Sequence, residues 1–277
     1  MSVSLRTLRG IPEVRPGDDL ARMIAEAAGE AAIASDQVLA IAHTVVSKAE
    51  GAIVSLADVK PGERARRLAA EQRKDPRVVQ VVLDECAEVL RAEHGVIIGR
   101  TRHGLVCANG GVDASNTAGA DTVVLLPRDP DASARSLRAR LRELGVGATG
   151  AGATGAGARS GAASGAGGSA DALRAPAIMI TDTFGRAWRH GQTDVAIGLA
   201  GLAPLDDWRG RRDASGLPLR ATWLAIADAA AAAADLARAK DSREPVVVIE
   251  GLERFITEQD GPGAAAIIRP VAEDLFG

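Results

Sequence analysis

Mixed sheets with flanking helices, packed as one large core or two closely packed subdomains, are what this sequence predicts, and three observations carry the prediction. Short apolar, β-rich runs recur at residues 38–46, 95–100, 121–127, 176–183, 195–201 and 245–249. Stretches with apolar residues at helical spacing lie between them, at 20–27, 76–91, 133–144 and 224–240. Of the 277 residues 47% are hydrophobic, enough for a chain of this length to fold around its own core.

The elements follow in order. Residues 3–8 alternate, with Val3 and Leu5 on one side, as a half-buried strand does, and Gly10 and Pro12 end it. Pro16-Gly17-Asp18-Asp19 supplies a helix start, after which Leu20, Met23, Ile24 and Ala27 share a face. The run 38–46 reads as a strand finishing at Ser47-Lys48-Ala49-Glu50-Gly51, where Lys48 either contacts a phosphate or reaches solvent, as strand-end lysines commonly do. A charged helix is expected over 61–74, and an amphipathic one over 76–91 with the stripe Val79, Val82, Leu83, Cys86, Val89 and Leu90. Residues 95–100 and 105–108 form a hairpin about Thr101-Arg102-His103-Gly104, then come a strand at 121–127 and a helix at 133–144.

From Gly147 to Gly168 the chain holds only Gly, Ala, Ser, Thr and one Arg. Such a stretch has nothing to bury and is costly to order, so it reads as a flexible surface insertion. It lacks the strand, the Lys-Ser/Thr pair and the helix that a phosphate loop needs. A strand at 176–183, a polar loop at 188–194 and a small-residue strand at 195–201 come next. An alanine-rich helix at 224–240, a buried strand at 245–249 and a closing helix at 264–275 complete the chain.

The formal net charge of −3, with no basic stripe interleaved with aromatics, argues against a nucleic-acid partner. Aromatic residues make up 2% and Tyr is absent, so a nucleotide would be held through phosphate, metal and backbone rather than base stacking. Cys86, on the apolar face of its helix, and Cys107 fit no metal or redox spacing; both read as small buried hydrophobes in a reducing compartment. The start has no leader pattern and no apolar run is long enough to span a bilayer, so a soluble cytoplasmic protein without a membrane partner is expected.

Two stretches carry candidate chemistry. Cys107-Ala108-Asn109-Gly110-Gly111-Val112-Asp113-Ala114-Ser115-Asn116-Thr117 puts glycines suited to positive φ and close approach to a ligand beside the carboxylate of Asp113 and the amide of Asn116. Ile178-Met179-Ile180-Thr181-Asp182-Thr183-Phe184-Gly185-Arg186 is an apolar strand that delivers Asp182 and Thr183 to its end. Carboxylates on separate strand ends, with oxygen donors beside them, suit Mg²⁺ or Mn²⁺ bridging phosphate oxygens, although an Asx-Gly loop alone is also an ordinary turn. His190 stands in a polar loop with no Ser/His/Asp arrangement legible around it.

Taken together, Gly10-Ile11-Pro12, Ser47-Lys48-Ala49-Glu50-Gly51, the segments 109–116 and 180–186, and Gly191-Gln192-Thr193-Asp194-Val195-Ala196-Ile197-Gly198 resemble the coenzyme F420-0:L-glutamate ligase family. Residues 207–216 and 268–276 are similar to that family as well, so the likeness covers nearly the whole chain except 147–168. The resemblance implies a single ligase module of α+β class that acts as a homodimer. It implies a GTP-dependent amide ligase that adds L-glutamate, and further γ-linked glutamates as an option, to coenzyme F420-0 through an acyl phosphate. By the same resemblance Ile11, Pro12, Glu13, Val14, His43, Thr44, Lys48 and Asn116 line GTP. Asp113, Asp182 and Thr183 hold divalent ions, two Mg²⁺ or Mn²⁺, with a monovalent cation as a further candidate, and Lys48, Asp113 and Asp182 form the catalytic set.

The chain departs from the family pattern at Ala239 and Glu250, where a glycine and an arginine are usual, at Ala229, and at His43, where a small hydroxyl is common. These departures keep two other readings open: a non-catalytic deazaflavin- or nucleotide-binding protein, and an amide ligase for another carboxylate. Two-domain relatives continue into a flavin-binding reductase-like domain, and that second activity is expected to be absent.

Overall fold

The computed structural model describes residues 2–29, 31–114, 121–148 and 174–274. Strand β1 (Ser4–Leu8) is followed by helix α1 (Leu20–Ala28), whose first turn is capped by the Asp19 carboxylate accepting from the Arg22 N–H at 3.1 Å. Strand β2 (Val38–Ala42) runs directly into α2 (His43–Ala49), and β3 (Ile53–Ser55) leads to α3 (Glu63–Gln72). Helix α4 (Pro76–Glu85) starts with Asp75 as cap and Pro76 in its first turn. Strands β4 (Cys86–Glu93), β5 (Val96–Thr101), β6 (Val106–Ala108) and β7 (Thr122–Val124) precede α5 (Pro130–Glu143), capped by Asp129. The last elements are β8 (Ala177–Arg186), β9 (Arg189–Ala200), β10 (Leu205–Asp207), β11 (Trp223–Ala225), α6 (Ile226–Ala237) and β12 (Val246–Glu250).

The main sheet has the order β1-β12-β2-β8-β9 and is mixed: β2 and β8 are parallel, the other pairs antiparallel. Both of its faces are covered, which is why β2, β8 and β12 read as continuous apolar runs rather than alternating ones. Leu39, Ile41, Ile178 and Ile180 point into a core shared with α1, α2 and α5, while Val38, Ala40, Ala177 and Met179 point into one shared with α6. Each fully buried Ile, Leu or Met side chain contributes about 1.5–3 kcal/mol relative to exposure. A third cluster gathers Leu56, Ala65, Ala69, Val79, Val82, Ile97 and Val123 from α3, α4, β5, β7 and the turn after β3.

Four expectations are corrected. The run 38–46 is not one strand: it turns helical at His43, so Ser47 and Lys48 sit on α2 and not at a strand end. The β-branched residues Val45 and Val46 bend to tertiary packing, which seats Val46 in the core from a helix. The helix over 76–91 ends at Glu85, because Cys86 to Glu93 pair with β5 as a bulged strand; Cys86, Val89 and Leu90 therefore leave the helical stripe. Residues 188–194 are not a loop but mostly the first half of β9, which pairs with β8 out to Arg186↔Arg189. The closing segment forms short 3-10 turns at Ala264–Ile267 and Val271–Glu273, with Pro270 between them preventing a continuous helix. Of the proposed insertion, Gly147 forms a bridge with Ala34, while residues 149–168 lie outside the described residues. No helix among the described residues is long and apolar enough to cross a membrane.

A buried polar network fixes the outer end of the β8–β9 hairpin on the α6 side. Asp194, 2% exposed, accepts hydrogen bonds from Thr181 Oγ1 at 3.0 Å and Thr183 Oγ1 at 2.7 Å. The Arg238 guanidinium, just past α6, ion-pairs with the same carboxylate and also donates to the Pro245 carbonyl at 3.0 Å. Lys240 closes the network, 2.8 Å from Thr183 Oγ1 and 3.1 Å from Asp235. Helix α5 anchors the rest of β9: Asp131 accepts from the Leu199 N–H at 2.8 Å and the Ala264 N–H at 2.7 Å, and Arg138 donates to the Thr257 carbonyl at 2.7 Å.

Removing Asp194 leaves Arg238 buried and uncompensated, so Asp194→Ala lowers unfolding stability by about 3–5 kcal/mol. Urea titration reads this directly, and a loss under about 1 kcal/mol would contradict the network's role. Asp228, on α6, accepts from the Ala196 N–H at 3.0 Å, and burial pushes its carboxyl above the usual range. A raised folded-state value favours the protonated form, so its contribution is present at low pH and is lost as pH rises through that value. Asp228→Asn keeps the acceptor without the buried charge; its melting temperature exceeds that of the parent at pH 7, and the gain vanishes towards about pH 4.

Candidate functional site

The parallel register of β2 and β8 aligns Ala42 with Thr181, so the first residue of α2, His43, stands beside the next residue of β8, Asp182. His43 Nε2 lies 3.2 Å from Asp182 Oδ1, with the two side chains 5% and 16% exposed. The Thr183 backbone N–H donates to the same Oδ1 at 2.7 Å. Asp182 lies on the α2 face of β8, in step with Ile178, Ile180 and Phe184, whereas Thr181 and Thr183 project to the α6 face. Period-two alternation thus separates the side chains of Asp182 and Thr183, and Thr183 meets Asp182 through its backbone alone.

Lys48 is buried on α2, and its Nζ is 2.6 Å from Glu13 Oε1. The 11–14 segment lies along α2 because Ile11 and Val14 pack into the core, leaving Pro12 and Glu13 exposed between them. It is pinned there by the Gly17 N–H donating to the Ala49 carbonyl at 2.8 Å. The structure therefore joins Glu13 to Lys48 and His43 to Asp182, with Thr44, half-buried, on the same short helix.

Asp113 follows β6 and is held by paired backbone hydrogen bonds with Val124, at 2.9 and 2.8 Å. Helix α2 packs against both β7 and β8, and β6 packs against β8, so the Asp113 loop and Asp182 belong to the same neighbourhood of the fold. Asn116 lies outside the described residues. Gly110 and Gly111 do take positive φ, +59° and +74°, but the close approach they permit is to the protein itself. A Cβ at Gly110 would come 2.7 Å from Cys86 Sγ, and one at Gly111 2.6 Å from the Leu126 side chain. Burial, with Asp182 and Cys86 nearby, pushes the Cys107 thiol up to about 12, so it is a packing residue and not a nucleophile.

Among the described residues no three His, Cys, Asp or Glu side chains converge to chelate a metal by themselves. The carboxylates of Asp113 and Asp182 are hard oxygen donors, of the kind that Mg²⁺ or Mn²⁺ accepts together with phosphate oxygens and water. His190 is exposed on β9, and its carbonyl accepts from Arg186 at 2.5 Å. Glu250 accepts from Ser4 Oγ at 2.8 Å and from Gln37 Nε2 at 2.9 Å. It lies level with the residue before β2, about 20 Å of strand away from the end where Asp182 sits. A separate cleft of about 220 Å³ opens between α1, α2 and α5, lined by Asp19, Glu50, Ser133 and Arg140, which are already bonded to one another as Asp19–Arg140 and Ser133–Glu50.

Sequence reasoning missed α2, β3 and β4, and with α2 it missed the His43–Asp182 pair. A signal was available: His43 stands four residues before Ser47 and five before Lys48, and three polar side chains within an apolar stretch fit a helix with a polar stripe better than a buried strand.

A family model described as F420-0:Gamma-glutamyl ligase matches residues 10–149 and 170–251. The chain is similar to a coenzyme F420:L-glutamate ligase of Methanopyrus kandleri, 44% identical over 95% of this chain and 93% of the relative. A ligase of the same name from Methanothermobacter thermautotrophicus is 38% identical over 100% of this chain and 99% of its own length. Another from Haloarcula marismortui is 40% identical over 97% and 93%. With the Asp182 strand end, the Lys48 helix and the Asp113 loop all inside the matched residues, the chain belongs to the F420-0:gamma-glutamyl ligase family.

Proposed function

We propose that this chain is a GTP-dependent, divalent-metal-dependent amide ligase that adds L-glutamate to the terminal carboxylate of coenzyme F420-0. The observation that carries the reading is the near full-length likeness to relatives named coenzyme F420:L-glutamate ligase. Two closely packed subdomains and a homodimer, with GTP, F420-0 and L-glutamate as the partners, belong to the same proposal.

The chemistry asked of the site is modest. The γ-phosphoryl of GTP moves to the substrate carboxylate, giving an acyl phosphate and GDP; the glutamate amine then attacks the acyl carbon, phosphate leaves, and the amine proton passes to solvent. Phosphoryl transfer depends mainly on positioning and charge neutralisation. Asp113 and Asp182 are the residues to hold Mg²⁺ or Mn²⁺, with Thr183 contributing through its backbone. The divalent ions supply charge neutralisation of the phosphates and an electrophilic clamp on the transferred group. Lys48 is the phosphate clamp: Glu13, 62% exposed, is free to give way when a triphosphate takes its place on the ammonium. The 11–14 segment, His43, Thr44 and Asn116 complete the nucleotide pocket. The placement of Glu250 removes one motive for the reading as a non-catalytic binder, since its carboxylate serves the remote end of the sheet.

Incubation with F420-0, GTP, Mn²⁺ and L-glutamate is expected to add the mass of one glutamyl unit, or several, to the precursor. A precursor of unchanged mass would overturn the proposal, and modification of a competing carboxylate in its place would redirect it to another acid. Asp182→Asn abolishes metal-dependent GTP consumption while leaving the circular dichroism unchanged; undiminished turnover would refute its role. Lys48→Ala removes one charge-assisted contact, about 1.5–3 kcal/mol, so kcat/KM for GTP falls about 10- to 100-fold in steady-state assays.

A further inference from the structure

Two groups among the described residues meet on one oxygen of Asp182, one as a hydrogen-bond donor and one as a close ion-pair contact. Oδ1 faces His43 Nε2 at 3.2 Å and the Thr183 N–H at 2.7 Å. The Nε2–H tautomer makes this contact attractive, whereas a bare Nε2 would set a lone pair against the carboxylate. The far side of the same imidazole is different. His43 Nδ1 is buried and has no partner among the described residues, and neither has Ser47 Oγ, one helical turn further along α2. Each unpaired buried polar group costs about 1–3 kcal/mol, so an apolar side chain would serve the core better at this position. What the imidazole supplies in return is a grip on Asp182.

We propose that His43 is a positioning residue for Asp182. Its Nε2 and the Thr183 N–H restrain Oδ1 from two directions, which limits the rotation of the carboxylate and would leave Oδ2 available to a divalent cation. The inference rests on the proposed metal-dependent ligase reading and assigns His43 a function distinct from lining the nucleotide. Donors behind a ligating carboxylate typically govern metal affinity by about 10- to 100-fold.

The test compares His43→Leu, which fills the space without a donor, with His43→Gln, whose amide N–H₂ reaches the place of Nε2. Mn²⁺ is titrated into each protein in the presence of a non-hydrolysable GTP analogue, and water-proton relaxation enhancement reads binding with no turnover. His43→Leu is expected to bind Mn²⁺ about 10- to 100-fold more weakly, with a melting temperature equal to or above that of the parent, while His43→Gln stays within about threefold. In steady state the apparent KM for Mn²⁺ rises in His43→Leu and stays near the parent value in His43→Gln. Equal Mn²⁺ affinity in His43→Leu and the parent would overturn the inference and leave the ligase reading intact. Absence of any enhancement by the parent protein over Mn²⁺ and analogue alone would overturn the metal site itself and the inference with it. If His43→Leu fails to fold, His43→Asn, whose amide is too short to reach Oδ1, replaces it; Asn and Gln variants of equal affinity would again overturn the inference.

Discussion

The parallel pairing of β2 with β8 is the constraint on which the site depends. Two parallel strands end on the same side of a sheet, and here Ala42 pairs with Thr181. Both chains leave the sheet together, one as the first turn of α2 and the other as the outer half of the β8–β9 hairpin. His43 and Asp182, 139 positions apart as 182 − 43, become neighbours for that reason and no other. The strands themselves are held by the apolar layers on both faces of the sheet, so the register that sets this contact is enforced by burial far more than by the contact's own energy.

The same strand divides its work between its two faces. On one, Thr181 and Thr183 are bound to Asp194, Arg238 and Lys240 in a network that ties the hairpin to the end of α6. On the other, Asp182 is presented beside α2. A carboxylate meant to meet a cation gains from a rigid support behind it, because a loosely held ligand loses affinity to its own freedom. On the supporting face Asp194 is ion-paired with Arg238 and Lys240, whereas on α2 Lys48 is paired with Glu13, which is largely exposed and able to move. The ligase chemistry proposed for this family member needs that combination of fixed acids and one exchangeable cation partner.

Much of the architecture was legible from pattern. The strands at 4–8, 177–186 and 246–250, the 96–108 hairpin, and the helices at 20–28 and 130–143 follow from apolar runs, turn residues and Asp caps that local physics reads directly. The errors share a cause. At 38–46 and at 76–91 a single periodicity was extended across a junction where the chain changes from strand to helix or from helix to strand without a glycine or proline to mark it. In both places long-range packing chose the conformation: Val46 gains the core as part of a helix, and Cys86 to Glu93 gain the hydrogen bonds of β5. The polar residues 189–194 were likewise read as a loop because they lie densely between two apolar strands, yet their backbone pairs with β8 and Asp194 turns into a buried network.

By itself, the order of residues determined the family, the apolar skeleton and the residue types available for chemistry, since these are properties of local composition and of motifs in sequence. Only the tertiary structure decided which of those residues meet. It turned Lys48 inward on a helix to Glu13, placed Thr183 on the opposite face from Asp182, sent Glu250 to the far end of the sheet, and closed Gly110 against Cys86 in place of a ligand. Those outcomes depend on strand register and on which layer covers which face, quantities set by the summed burial of distant segments that no local window of sequence contains.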